Sequence, residues 1–344
     1  MKITVKDIAR LSGVSKGTVD RVLHNREGVS KKSYAKVMKV VRESGYEPNV
    51  YASLLARHEE RIIAVLMPSS SEGDYWSLIA EGIAKTAPAA GNFGLIIKTV
   101  GYDQYNLDSF LAACEGVIAL HPSGVILPPM FKIETQAFTG RLKQLNIPYV
   151  YIDSKIDDPG YLAFFGMPAY RAGYLCAAIL TDDGNVSGVG AVRVIRDKKR
   201  LSDPTKNRRS GFLEFLEKFF PNCKKEAVFI NPAEPETIEP TLDAFFAANP
   251  EISHLLMFNS RLYLIVPWLK KHPERKLRII GFDNLTANVN ALREGLVTVL
   301  ITQRPEEQIH GAIDALINYI VFGREPAVRD NNMHMDILTK YNLD

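Results

Sequence analysis

The spacing of apolar positions changes character along the chain. Up to Ser44 it is helical: Ile8 and Leu11, then Val14, Val19 and Val22, then Val37, Val40 and Val41. Thr4 with Asp7 makes an acidic variant of the capping box before the first helix. Ser12-Gly13 supplies a tight turn into a second helix over Val14–Val22, where Ser15 can cap the first free N–H groups. Ser30 caps a third helix running to Ser44, and Gly45 ends it. The valines of the second helix share the face to be buried, which leaves Lys16, Gly17, Thr18 and Arg21 free to touch a partner. Two short helices joined by a glycine turn form a helix-turn-helix, whose second helix enters the major groove of DNA.

Pro48 stops the preceding structure, and Asn49 can cap a short helix over Val50–Arg57. About two turns are too few to be stable alone in water. Two readings of Leu54 and Leu55 stand: incidental leucines in a linker, or a hinge helix that folds on DNA and pushes a leucine between base pairs in the minor groove.

From Arg61 onward the pattern becomes solid apolar runs. Strands are expected at Ile62–Met67, Phe93–Lys98, Gly124–Leu127, Pro148–Ile152, Val189–Ile195, Ala227–Ile230, His254–Phe258, Leu277–Phe282 and Val297–Thr302. Helical stretches separate most of them, among them Trp76–Ala90, Leu107–Leu120, Ala169–Leu180, Arg208–Phe219 and Glu306–Phe322. Apolar strands alternating with helices predict parallel sheets covered on both faces. The 284 residues from Arg61 exceed what one sheet takes, so two lobes are expected. The fold class is therefore a small all-α helix-turn-helix head plus an α/β core of two doubly wound parallel-sheet lobes.

Composition narrows the function classes. The 344 residues are 46% hydrophobic and 24% charged, as in an ordinary globular chain of two or three domains. No run approaches the roughly 18 apolar residues of a membrane span. Met-Lys-Ile-Thr opens the chain without an apolar signal core, which predicts a cytoplasmic protein. Cys114, Cys176 and Cys223 are odd in number and far apart, so buried free thiols are expected rather than disulfides or zinc. Residues 1–60 carry 7 Lys and 5 Arg against 2 Asp and 5 Glu, a net +5 within a chain total of +3. A basic module on a near-neutral body is the charge layout of a DNA-binding head on a core, although a solvated basic surface would look the same.

In open parallel sheets, ligands sit beyond the carboxyl ends of the strands. The polar and aromatic residues that directly follow apolar runs are Ser69–Trp76, Asp153, Asn259, Asp283 and Gln303, and Arg208 opens a helix that can face the same cleft. Carboxylate, guanidinium and amide groups beside an aromatic plate are the chemistry of a sugar pocket. Asp283 and Asn259 also suit turns and caps, and Trp76 also suits a core. Catalysis is not supported. There is no histidine pair at metal-ligand spacing, no Cys-x-x-Cys and no P-loop, the one Gly-x-Ser-x-Gly string, Gly13-Val-Ser15-Lys-Gly17, joins two helices and so is no nucleophile elbow, and Gly188-x-Gly190 lacks a third glycine. Asp153 and Asp283 could form a glycosidase pair, but holding hydroxyls suits this scaffold better. No enzyme activity, metal or cofactor is expected.

Residues 3–57 resemble the DNA-binding head and hinge of the lactose/galactose repressor (LacI/GalR) family. The matching residues are Val5-Lys-Asp-Ile-Ala9, Gly13-Val-Ser15, Thr18-Val19, Arg21-Val22-Leu23, Val29-Ser30 and Gly45-Tyr46-Glu-Pro48-Asn49. Residues 61–340 look like the family's periplasmic-binding-protein-like core, through Gly281-Phe282-Asp283, Arg208 with Gly211-Phe212, Ile147-Pro148 leading to Asp153, and Gln303-Arg304-Pro305. The resemblance implies a head at 1–47, a hinge at 48–60, a first lobe at 61–165 with 303–329, and a second lobe at 166–302 with 330–344.

It also implies roles. Lys16, Gly17 and Arg21 would face bases, Lys16 and Arg21 as donors to guanine. Thr4, Ser15, Thr18, Asn25 and Ser30 would touch phosphates, with capping as a second role for Ser15 and Ser30. Asn49 belongs to the same interface, and Leu55 aligns with the family's wedge leucine. Asp153, Arg208, Asn259, Asp283 and Gln303 match ligand-contacting positions of sugar-responsive members, and Tyr75 and Trp76 match the stacking loop. The chain departs from the family at Asp20, which replaces a serine near the DNA backbone, at Gly166-Met167-Pro168, which replaces a polar triplet, and at Ser260, which replaces an acidic residue. The expected protein is a homodimeric repressor on a near-palindromic operator, controlled by a sugar or sugar derivative. The alternatives are a purine- or nucleoside-responsive regulator with corepressor behaviour, and a solute sensor that does not bind DNA.

Overall fold

The computed structural model describes residues 3–23, 27–44, 61–184, 186–195 and 203–343. It divides into two compact units, Met1–His58 and Glu59–Asp344.

The first unit holds α1 (Val5–Ser12), α2 (Lys16–Leu23) and α3 (Lys31–Ser44). A complete capping box opens α1: Asp7 N donates to Thr4 Oγ1 at 3.4 Å, and Thr4 N donates to Asp7 Oδ2 at 3.1 Å. Gly13 ends α1 at φ 68°, a left-handed conformation that a side chain would strain. Ser15 Oγ accepts from Thr18 N at 3.1 Å and Ser30 Oγ from Ser33 N at 3.1 Å, which opens α2 and α3. Ile8, Ala9, Val19, Val22 and Val37 form the buried core. Leu11, expected inside, is 53% exposed. Helix α1 turns Ala9 and Ser12 inward instead, and Ser12 Oγ donates to Ile8 O.

In the second unit the first lobe contains β1 (Arg61–Pro68), α4 (Tyr75–Gly91), β2 (Leu95–Tyr102), α5 (Leu107–Ala119), β3 (Gly124–Leu127), α6 (Lys132–Gln144), β4 (Tyr149–Ile152) and β5 (Ala163–Gly166). The second lobe contains α7 (Ala169–Leu180), β6 (Gly188–Val194), α8 (Asp203–Phe219), β7 (Lys224–Ile230), α9 (Ile238–Ala248), β8 (Ile252–Met257), α10 (Val266–Lys271), β9 (Arg278–Phe282), α11 (Thr286–Arg293) and β10 (Val299–Thr302). Helix α12 (Pro305–Phe322) packs on the first lobe, and the short strands β11 (Asp330–Asn332) and β12 (Asp336–Leu338) follow. The sheet orders are β11-β5-β4-β3-β1-β2 and β12-β10-β9-β8-β6-β7. Every pairing is parallel except β12 with β10. Apolar clusters cover both faces of each sheet, as the uninterrupted runs in β1, β3, β4 and β9 require. The two doubly wound lobes are thus as expected.

The lobe boundary needs correction. Gly166 ends β5 in the first sheet, and Asp330–Asn332 pairs beside it, whereas the expectation gave 166 and 330–344 to the second lobe. Asp-Asn-Asn has no apolar face to sort it. Backbone pairing with β5 places it, and the Asn331 side chain adds a bond, its Nδ2 donating to Phe164 O at 3.3 Å. Strand β5 and helix α11 were also unmarked by periodicity. Strands β4 and β5 are parallel neighbours joined by residues 153–162 without a helix. The Asp158 carboxylate anchors that connection by accepting from Tyr149 Oη (2.6 Å), Tyr151 Oη (3.1 Å), Thr139 Oγ1 (3.1 Å), Lys143 Nζ (2.5 Å) and Gly160 N (2.9 Å).

Among the described residues the chain passes between the sheets after β5, after β10, and between β11 and β12. These crossings are bonded to one another. Met333 N donates to Gly166 O at 2.9 Å, and Arg304 holds Asp336 through Nε at 2.8 Å and Nη2 at 2.7 Å. Among the described residues no helix is long and apolar enough to cross a membrane, and no cluster of ligating side chains could hold a metal ion.

Candidate functional site

The carboxyl ends of the strands in both sheets meet at one cleft of about 660 Å³. All of the expected ligand residues line it: Tyr75, Trp76, Asp153, Arg208, Asn259, Asp283 and Gln303. Asp74 caps α4, accepting from Trp76 N at 2.9 Å and Ser77 N at 3.1 Å, and so fixes the two aromatic residues in the first turn. Tyr75 and Trp76 meet edge to face at 5.1 Å and 77°. Trp76 serves both readings, since it lines the cleft and belongs to the first lobe's core.

Arg208, Gln303 and Asp283 form one bonded chain on the second lobe. Arg208 Nη2 donates to Gln303 Oε1 at 3.2 Å, and Gln303 Nε2 donates to Asp283 Oδ1 at 3.1 Å. Arg208 Nη1 also donates to Phe258 O at 2.9 Å, and its guanidinium lies 4.3 Å from the Phe282 ring centroid. All three residues are buried. Arg208 does not open its helix as expected, since α8 begins at Asp203. It enters the cleft from within α8 because Gly173 and Gly211 let α7 and α8 touch. A Cβ on Gly173 would overlap the Arg208 carbonyl, and one on Gly211 would overlap the Tyr170 carbonyl.

Asp153 and Asp283 each follow a strand at positive φ, 62° and 66°. Asp283 N donates to Ile301 O at 2.8 Å. Burial pushes the Asp283 carboxyl up to about 7, with Asp153 adding to the rise and Arg208 and Gln303 opposing it. Burial also raises Tyr75, with Asp153 and Asp283 contributing. The Tyr75 Oη and Arg208 Nε are buried with no hydrogen-bond partner, two polar atoms that a bound ligand or water would satisfy. Asn259 Oδ1 accepts from Arg261 N at 3.0 Å, so its turn-forming role holds as well. Met167, at the departure from the family triplet, is buried in the second lobe's core and contributes nothing to the cleft.

Several lining residues carried no sequence signal. Gln104 follows β2, whose polar second half hid its true end at Tyr102. Thr205 was lost with the early turns of α8, and Thr286 and Asn290 with the whole of α11. Behind the wall, Asn288 Nδ2 donates to Ser260 O at 2.8 Å and to Asp283 O at 3.2 Å, tying two strand ends together.

In the first unit Thr4, Ser15, Lys16, Gly17, Arg21 and Ser30 are exposed and Thr18 is half-buried, with Lys16, Gly17 and Arg21 on the open face of α2. Asp20 is half-buried. Asn25, Asn49 and Leu55 lie outside the described residues.

Residues 4–49 match the model of bacterial regulatory proteins of the lacI family, and residues 63–325 match a periplasmic binding protein domain. The chain is 32% identical to the HTH-type transcriptional regulator MalR of Streptococcus pneumoniae, over 84% of this chain and 86% of that one. It is 27% identical to the sucrose operon repressor of Pediococcus pentosaceus, over 87% of each. A crystal structure from Bacteroides fragilis, described as a LacI transcriptional regulator, superposes with a TM-score of 0.79 at 33% identity, over 83% of this chain and 98% of that one. With a helix-turn-helix head and a two-lobed binding core in one polypeptide, the chain belongs to the LacI family of bacterial regulatory proteins.

Proposed function

We propose that this regulator is a cytoplasmic, homodimeric repressor whose hold on a near-palindromic operator is set by a sugar or sugar derivative in the cleft. It has no catalytic role. Lys16 and Arg21 read base edges, Gly17 lets α2 approach, and Thr4, Ser15, Thr18 and Ser30 set register on phosphates. Asn25, Asn49 and Leu55 complete the interface.

In the cleft, Asp153, Asn259 and Asp283 take ligand hydroxyls, Arg208 and Gln303 hold Asp283 in place, and Tyr75 with Trp76 covers an apolar sugar face. The observation that carries this reading is the Arg208–Gln303–Asp283 chain. Three buried polar side chains satisfy one another only in part, and the Arg208 Nε and Tyr75 Oη are left for a ligand rich in hydroxyls. The name of the sucrose operon repressor supports a sugar as that ligand. Occupancy acts by differential affinity for two arrangements of the lobes.

A thermal-shift screen of the full chain against neutral sugars and purine nucleosides tests the ligand class. A raised midpoint with a sugar, reduced in Asp283→Ala, is expected. A response to nucleosides alone would contradict it.

A further inference from the structure

Gln308 lies in the first turn of α12, immediately after the second crossing between the sheets. It is fully buried, at 0% exposure, and does not line the cleft. Its Oε1 accepts from Asp153 N at 3.0 Å, and its Nε2 donates to Gln303 O at 2.8 Å. Asp153 follows β4 in the first lobe, and Gln303 follows β10 in the second. One side chain is therefore bonded to the backbone of a cleft residue from each lobe.

The chemistry leaves little freedom. An N–H can meet only the oxygen end of the amide, and a carbonyl only the NH2 end, so the two partners fix its orientation. A leucine or methionine would fill the same space with no polar group to bury, so packing does not call for a glutamine here. The Asp153 N–H is shared with Phe165 O at 3.1 Å, which places the Gln308 bond at the junction of β4, β5 and the crossing.

We infer that Gln308 is a positioning residue that makes contact with the Asp153 wall and contact with the Gln303 wall a single event. This rests on the reading of the cleft as the ligand site. A ligand that pulls Asp153 moves the acceptor end of the amide, and the donor end carries that displacement to Gln303 and so to the crossing.

The test compares wild type, Gln308→Leu and Gln308→Glu as full-length proteins, by hydrogen exchange in peptides covering residues 149–155 and 299–305, first with no ligand. The leucine variant loses both bonds. The glutamate variant keeps the acceptor and regains a donor only when protonated, a form that burial beside a carbonyl favours. Exchange in both peptides is expected to rise by about tenfold or more in Gln308→Leu. Gln308→Glu should match wild type at about pH 6 and, at about pH 9 where only the donor to Gln303 is lost, should exchange faster than wild type in both peptides but less than the leucine variant, each compared with wild type at the same pH. Faster exchange in only one peptide, or a glutamate variant that tracks leucine at both pH values, overturns the inference. If Gln308→Leu does not fold, the pH profile of Gln308→Glu decides alone. Sucrose and D-ribose are then added to wild type. If neither protects the cleft peptides, the sugar reading fails for these probes, while the ligand-free exchange result still decides the role of Gln308.

Discussion

Gln303 donates to Asp283 across 3.1 Å on the second wall of the cleft, although burial holds the Asp283 carboxyl up to about 7. The folded protein therefore keeps a proton on Asp283 that the unfolded chain releases near its ordinary value of 3.8. The folded state binds more protons across that window, so this contribution to stability is present at about pH 4 and is lost as pH rises through about 7. The full shift corresponds to something on the order of 4 kcal/mol. Asp283→Asn removes the titration. Thermal unfolding from about pH 4 to 8 should show wild type losing stability relative to the variant as pH rises; parallel curves would refute the assignment.

Asp158 has the opposite sign. Burial alone would raise its carboxyl, but Lys143, Tyr149, the Gly160 amide and Tyr151 together hold it well below the usual range. Its contribution is present above about pH 4 and is lost as pH falls further. Asp158→Asn at neutral pH should cost about 2–3 kcal/mol, because an amide keeps one acceptor oxygen and turns an NH2 toward the donors that met the other. The deficit should narrow in acid. Equal midpoints at neutral pH would show that the 153–162 connection is held by something else.

Two glycines separate steric need from helix propensity. Gly211→Ala forces α8 away from the Tyr170 carbonyl and should destabilise by about 2 kcal/mol, weakening ligand response by displacing Arg208. A Cβ on Gly17 would meet only Ser15 Oγ at 3.9 Å, so Gly17→Ala should stabilise the head by about 0.5–1 kcal/mol. Calorimetry of both variants checks the contrast, and equal effects would contradict it.

Much of this architecture was legible from spacing alone. The runs that end β4, β8, β9 and β10 are buried, so they announce covered parallel strands, and the polar residue that follows each marks the cleft. That logic found Asp153, Asn259, Asp283 and Gln303. It failed where an edge strand mixes polar and apolar residues, so Gln104 was missed behind an underestimated β2. It failed again where a strand has no apolar face and is held by backbone pairing and polar side-chain bonds, as in the Asp-Asn-Asn of β11. Gln308 gave no signal, because a lone glutamine on a helix reads as surface until the elements packed around it are known. Leu11 misled for the converse reason: its spacing suits the core, but the close fit of α1 places Ala9 and Ser12 there.

In the proposed function, occupancy of the cleft governs the hold of the head on DNA. Its most direct test is operator affinity of the full chain, measured by fluorescence anisotropy on a selected duplex, with and without a sugar that raises the thermal midpoint. Wild type should change affinity by at least about fivefold. Arg208→Ala should keep the ligand-free affinity and lose the response, and Lys16→Ala with Arg21→Ala should lose the selected site. A sugar that binds the core but leaves wild-type affinity for the duplex unchanged would contradict the account.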